Sequence, residues 1–205
     1  LEEQTEYYVQ IDATTFDDGS RKDYAGISDA TTLSFTTADE TAPTLSSSTP
    51  ADNATAVATT SNIVLTFSEA VDVESGNITI KKISDNSTVE DIDVTDTNKV
   101  TGSGSTQITI NPSNDLEEQT EYYVQIDATA FDDAFGISYA GISDPTTLSF
   151  TTADETAPTL SSTSSISIAE NKTTVHTFTT DETVTWSLSS GVDKDKFAIN
   201  SITGA

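Results

Sequence analysis

An all-β fold, built of tandem Greek-key sandwiches, is what this sequence predicts, and three observations carry the prediction. Short runs of β-branched and aromatic residues alternate with polar ones, Gly, Pro, Asn, Asp and Ser bound each run, and no stretch sustains a helical period. In chain order, the middle of the sequence offers TLSSS from Thr44, NIVLTFS from Asn62, NITIKKI from Asn77 and VEDIDV from Val89. QITINP from Gln107, EYYVQID from Glu121 and TLSFTT from Thr147 complete a set of about seven strands, the number of a Greek-key sandwich. Ile63, Leu65 and Phe67 fall on one face of their strand, as do Tyr122, Val124 and Ile126, opposite Tyr123, Gln125 and Asp127. Leu148 and Phe150 alternate likewise, and all of these apolar residues are core candidates.

An internal repeat sets the domain organisation. LEEQTEYYVQIDATTFDD at residue 1 returns at residue 116 as LEEQTEYYVQIDATAFDD, a shift of 115 residues, and YAGISD and TTLSFTTADETAPTLSS recur at the same shift. One variable patch interrupts the match, Gly19–Asp23 in the first copy and Ala134–Ser138 in the second, as two strands joined by an exposed loop would give. Such a period is too long for a solenoid turn and fits a whole domain. Residues 1–38 therefore read as the C-terminal part of one repeat, 39–153 as a complete repeat with its leading linker, and 154–205 as a linker and the start of a different domain. Pro43 and Pro158 stiffen the two linkers. Leu1 in place of an initiator Met points to an internal piece of a longer protein.

Composition excludes several function classes. Asp and Glu number 34 against 8 Lys and Arg, a formal net charge of −26, so the basic patch that nucleic acid requires cannot form, and anionic membrane surfaces are disfavoured. The chain lacks Cys and has one His, His176, which removes thiolate chemistry and any His-rich metal centre. No apolar run is long enough to insert in a membrane. Enzyme activity ranks last among the functional readings, because the paired acids lie in repeated loops without an aromatic cleft. Trp186, alternating with Val184 and Leu188, reads as core.

The middle repeat resembles the SbsA-type, or Big, bacterial Ig-like domains of large surface proteins. The residues that carry the likeness are Ala42-Pro43 followed by Pro50-Ala51-Asp52, the VLTFSEAVD stretch and the closing LSFTT. Residues 154–205 resemble the start of a bacterial cadherin-like repeat, through Ala169-Glu170-Asn171, Asp193-Lys194-Asp195 and Thr203-Gly204. The resemblance implies tandem Ig-like sandwiches, an extracellular or cell-surface setting, and Glu170 as a calcium residue of the last domain.

The acidic loops are the chemistry on offer. Calcium takes six to eight hard oxygens from carboxylates, carbonyls and water. In a seven-strand sandwich the segments SEAVDVESG and DATAFDDAFG return to the end at which the linker arrives, so Glu69, Asp72, Glu74, Asp127, Asp132 and Asp133 are expected near Asp39 and Glu40. Asp154 and Glu155 of the next linker are candidates at the other end. The expected function is a spacer segment of an adhesin-like surface protein, stiffened by calcium at its domain junctions, with neighbouring domains of the same chain as partners. The alternatives are a module that binds glycan or surface polymer through the variable loop, and a self-associating layer or filament subunit.

Overall fold

The computed structural model describes residues 1–163, 165–191 and 194–205. It divides into two compact units, Leu1–Asp154 and Glu155–Ala205. The fold is all-β, with one 3-10 turn at Lys194–Lys196 and no α-helix among the described residues.

In the first unit, β1 (Glu6–Tyr8) and β2 (Ser34–Thr36) pair as an antiparallel hairpin. The complete repeat follows with β3 (Leu45–Thr49), β4 (Ala54–Val57), β5 (Ile63–Val73), β6 (Asn77–Lys82) and β7 (Thr88–Asp93). After these come β8 (Val100–Thr101), β9 (Ser105–Ile110), β10 (Glu121–Ile126), β11 (Phe131–Asp132) and β12 (Ser149–Thr152). One sheet runs β4-β12-β10-β6-β7; the other runs β11-β5-β9-β8, with β3 on β5. Strand β5 thus pairs with β9 and not with its successor β6, the crossover of a Greek key. The seven sequence-derived strands are β3, β5, β6, β7, β9, β10 and β12. The additional β4, β8 and β11 are two to four residues long, too short to show an alternation. The chain crosses from β3 in one sheet to β4 in the other through a cis Thr49–Pro50 bond, and β4 runs parallel to β12.

Both inner faces follow the period of two. Ile63, Leu65 and Phe67 of β5 meet Tyr122, Val124 and Ile126 of β10 in a core with Ile78, Ile80, Ile108, Ile110, Leu148 and Phe150, all at most 4% exposed. Phe67 packs on Phe131 and Tyr139 at centroid distances of 5.5 and 5.2 Å. Tyr123, assigned to the polar face by alternation, is also buried, because Lys81 lies over its ring at 6.0 Å and its hydroxyl reaches Asn86. Tyr122 accepts a hydrogen bond at its hydroxyl from the Glu117 amide at 2.9 Å, a corner that pins the start of β10.

The two copies of the repeat fold alike. Tyr7↔Phe35 in β1–β2 becomes Tyr122↔Phe150 in β10–β12, and the bridge Ile11↔Ile27 becomes Ile126↔Ile142. Gly141 shows why its position is glycine: φ is +74°, and a Cβ would lie 2.4 Å from the Ile126 carbonyl oxygen. Gly26 repeats the arrangement against Ile11.

In the second unit, Leu160 bridges Thr180, and His176, Phe178 and Trp186 form an aromatic series at 4.9 and 5.7 Å. Val184, Trp186 and Leu188 are half-buried in alternation. Asp193 of the cadherin-like motif lies outside the described residues.

Candidate metal centre

The site begins with the length of β5. Its apolar alternation carries it past Ser68 to Val73, so SEAVDV is strand and not the loop expected from sequence. Glu69 and Asp72 are thereby fixed on a strand. Asp72 stands in register with Asp132 of β11, directly across the ladder.

Beyond β11, the loop folds onto its own carboxylate. Asp133 Oδ1 accepts the Phe135 and Ile137 amides at 2.8 and 2.9 Å. The first copy does the same, Asp18 Oδ1 accepting the Ser20 and Lys22 amides at 2.8 and 2.9 Å. Backbone donors explain why the conformation survives a complete change of loop sequence. Asp133 is only 3% exposed, yet its Oδ2 is buried with no hydrogen-bond partner. An orphaned carboxylate oxygen is costly and calls for a ligand.

The Asp133 carboxylate lies beside those of Asp39 and Glu69. The three carboxylates each offer an oxygen within 4.8 Å of the others, the one such group among the described residues. That spread suits a single ion with metal–oxygen bonds of about 2.3–2.6 Å. Asp39 is 7% exposed, its Oδ1 accepting the Thr41 amide at 3.0 Å and its Oδ2 the Gln4 side-chain amide. Burial raises the Glu69 carboxyl above its ordinary range, and the charges of Asp39, Asp133 and Glu3 add to the shift. The ion pairs described, Lys82–Glu117 and Lys99–Glu90, lie elsewhere. Hard oxygens, partial burial and mutual repulsion suit a hard divalent cation, and all three residues are among the sequence candidates.

The remaining candidates fall in other places. Asp132 is raised by burial and by Asp72 and Asp133, while Asp72 Oδ1 contacts the Ser103 hydroxyl at 3.4 Å. Asp127 accepts the Asn77 amide at 2.8 Å and so ties the start of β6 to the end of β10. Glu40 is exposed. Asp154 accepts the Gln119 side-chain amide at 2.7 Å, and Glu155 and Glu170 are exposed in the second unit. Sequence reasoning missed Gln4. Its signal was present, since Gln4 and Asp39 recur together as Gln119 and Asp154.

Among solved structures, the S-layer protein rSbsC (residues 31–844) matches 59% of this chain at 17% identity and a TM-score of 0.36. The chain spans about 15% of that protein's length. No curated protein matches the sequence. The family model for the bacterial Ig-like domain, Big_5, covers residues 39–152, from the linker aspartate to the end of β12. More than half of the sequence lies within that match, and the chain belongs to the bacterial Ig-like domain family.

Proposed function

We propose that this chain is a spacer segment of a large secreted or cell-surface bacterial protein, in which tandem Ig-like repeats are stiffened by calcium where one repeat meets the next. The observation that carries this reading is the buried Asp133 carboxylate, which has one oxygen without a partner and groups with Asp39 of the incoming linker and Glu69 of β5. An ion there joins the linker to β5 and to the loop after β11, and binding only the folded state adds to its stability. Family membership and the repeated hairpin support a structural role over an enzymatic one. Residues 154–205 are in this reading a linker and the N-terminal part of a cadherin-like domain, with Glu170 among its calcium residues.

Thermal unfolding of the full chain in EDTA and in millimolar calcium tests the mechanism. With calcium at 100 times its dissociation constant, the gain is about 2.7 kcal/mol, a rise of several degrees in Tm. Equal Tm values in the two buffers sink it.

A second reading has its own support in Phe135, which is 60% exposed at the tip of the Asp133 loop. An aromatic ring on a fixed loop can stack on a sugar face. A glycan array probed with the full chain and with Phe135→Ala separates the readings: signal lost in the variant favours the binder, and a blank array favours the spacer.

A further inference from the structure

We propose that Gln4, from the preceding repeat, supplies an amide oxygen to the cation at Asp39, Glu69 and Asp133, so that the site is complete only across two successive repeats. The proposal rests on the calcium reading above and names a ligand that reading does not require.

Gln4 already touches the site. Its Nε2 donates to Asp39 Oδ2, one of the carboxylates that converge on Asp133. The amide carries its oxygen on the same terminal carbon, and the torsion that exchanges the two is broad and two-fold. Half a turn brings Oε1 to the place from which Nε2 now addresses Asp39. Side-chain amide oxygens are regular calcium ligands, and a neutral one adds coordination without adding to the repulsion among three carboxylates.

The local backbone holds Gln4 to this task. Its φ is +49°, and Gln119 repeats the conformation at +47° with its own side-chain amide on Asp154. The neighbouring Glu3 grips the same linker, its Oε2 accepting the Thr41 hydroxyl at 2.6 Å. The Thr41 amide in turn holds the other oxygen of Asp39. Two side chains of one repeat thus fix the linker residue that presents a carboxylate to the next. Asp133 Oδ2, buried and without a partner, is the independent sign that a ligand belongs between them.

Calorimetric titration of the full 205-residue chain with calcium tests the proposal, using wild type, Gln4→Leu, Gln4→Glu, Glu69→Gln and Gln119→Leu. Gln4→Leu weakens binding about tenfold, while Gln4→Glu, which returns an oxygen ligand, retains or tightens it. Gln119→Leu, at the other linker, leaves the affinity of this site unchanged, and Glu69→Gln reports the loss of a carboxylate ligand. Wild-type affinity in Gln4→Leu, or binding lost in Gln4→Glu, overturns the proposal while leaving the three-carboxylate site standing. A wild type that binds no calcium overturns the site itself. Should Gln4→Leu disturb the hairpin, seen by circular dichroism, the affinity of Gln4→Glu alone decides: retained or tightened binding supports the ligand, and lost binding overturns it.

Discussion

Asp29, Asp93 and Asp144 do the same work in three different turns: each accepts the amide and the hydroxyl of the threonine two residues on. Those hydrogen bonds favour the charged carboxylate and lower all three below the ordinary range, with Thr32 and Thr31 the causes at Asp29, Thr95 at Asp93 and Thr146 at Asp144. The D-x-T spacing makes this role legible in sequence. Nothing in sequence marks Glu90, which lies 14% exposed between Lys99 Nζ at 2.7 Å and the Ser113 amide and hydroxyl at 2.9 and 2.8 Å. Burial pushes Glu90 up, but Lys99 and Ser113 outweigh it and the carboxyl is lowered. A lowered acid binds fewer protons folded than unfolded, so its contribution is present above its ordinary value and lost as pH falls through the folded one. Glu90→Gln is therefore expected to cost about 1–2 kcal/mol at pH 6, and less as pH falls below the ordinary carboxylate range. Urea midpoints across that range check it, and a pH-independent deficit contradicts the assignment.

At the scale of elements, the two copies of the hairpin separate local from tertiary causes. The registers of β1–β2 and β10–β12 agree after a shift of 115 residues, so pairing follows from the strands and their connection. Burial does not. Leu33 and Phe35 are both 44% exposed, while their counterparts Leu148 and Phe150 are 1% and 2% exposed beneath β5 and β9. Leu148→Ala should cost about 2–5 kcal/mol and Leu33→Ala less than about 1 kcal/mol in this chain. Denaturant titration of the two variants tests this, and equal losses would contradict it. The apolar face of β5 was readable from Ile63, Leu65 and Phe67. Its continuation to Val73 was not, because Glu69 and Asp72 look like a loop until β11 supplies a partner for Asp72.

At the scale of the molecule, the charge of −26 divides into acids that hold turns, acids on the surface and one convergent group. In the last, the charges of Asp39 and Asp133 add to burial in raising Glu69. Calcium at that group should slow hydrogen exchange at the Thr41 amide, which donates to Asp39, by about tenfold through stabilisation of the closed linker. Exchange at Thr146, held by Asp144 in a separate turn, should be unaffected. Equal protection of Thr41 with and without calcium counts against a stiffened linker.

By itself, the sequence determined the all-β class, seven of the strands and the repeat, because alternation and turn residues act over a few neighbours. It also determined the wealth of acidic oxygen. Tertiary structure decided which acids meet, since Asp39, Glu69 and Asp133 are distant in the chain and converge only when the linker, β5 and the loop after β11 close together. It decided the place of Gln4 for the same reason: a side chain 35 positions from Asp39 reaches it only through the β1–β2 hairpin. Periodicity reports which face a residue occupies; contacts between remote segments depend on how the sheets fold over one another.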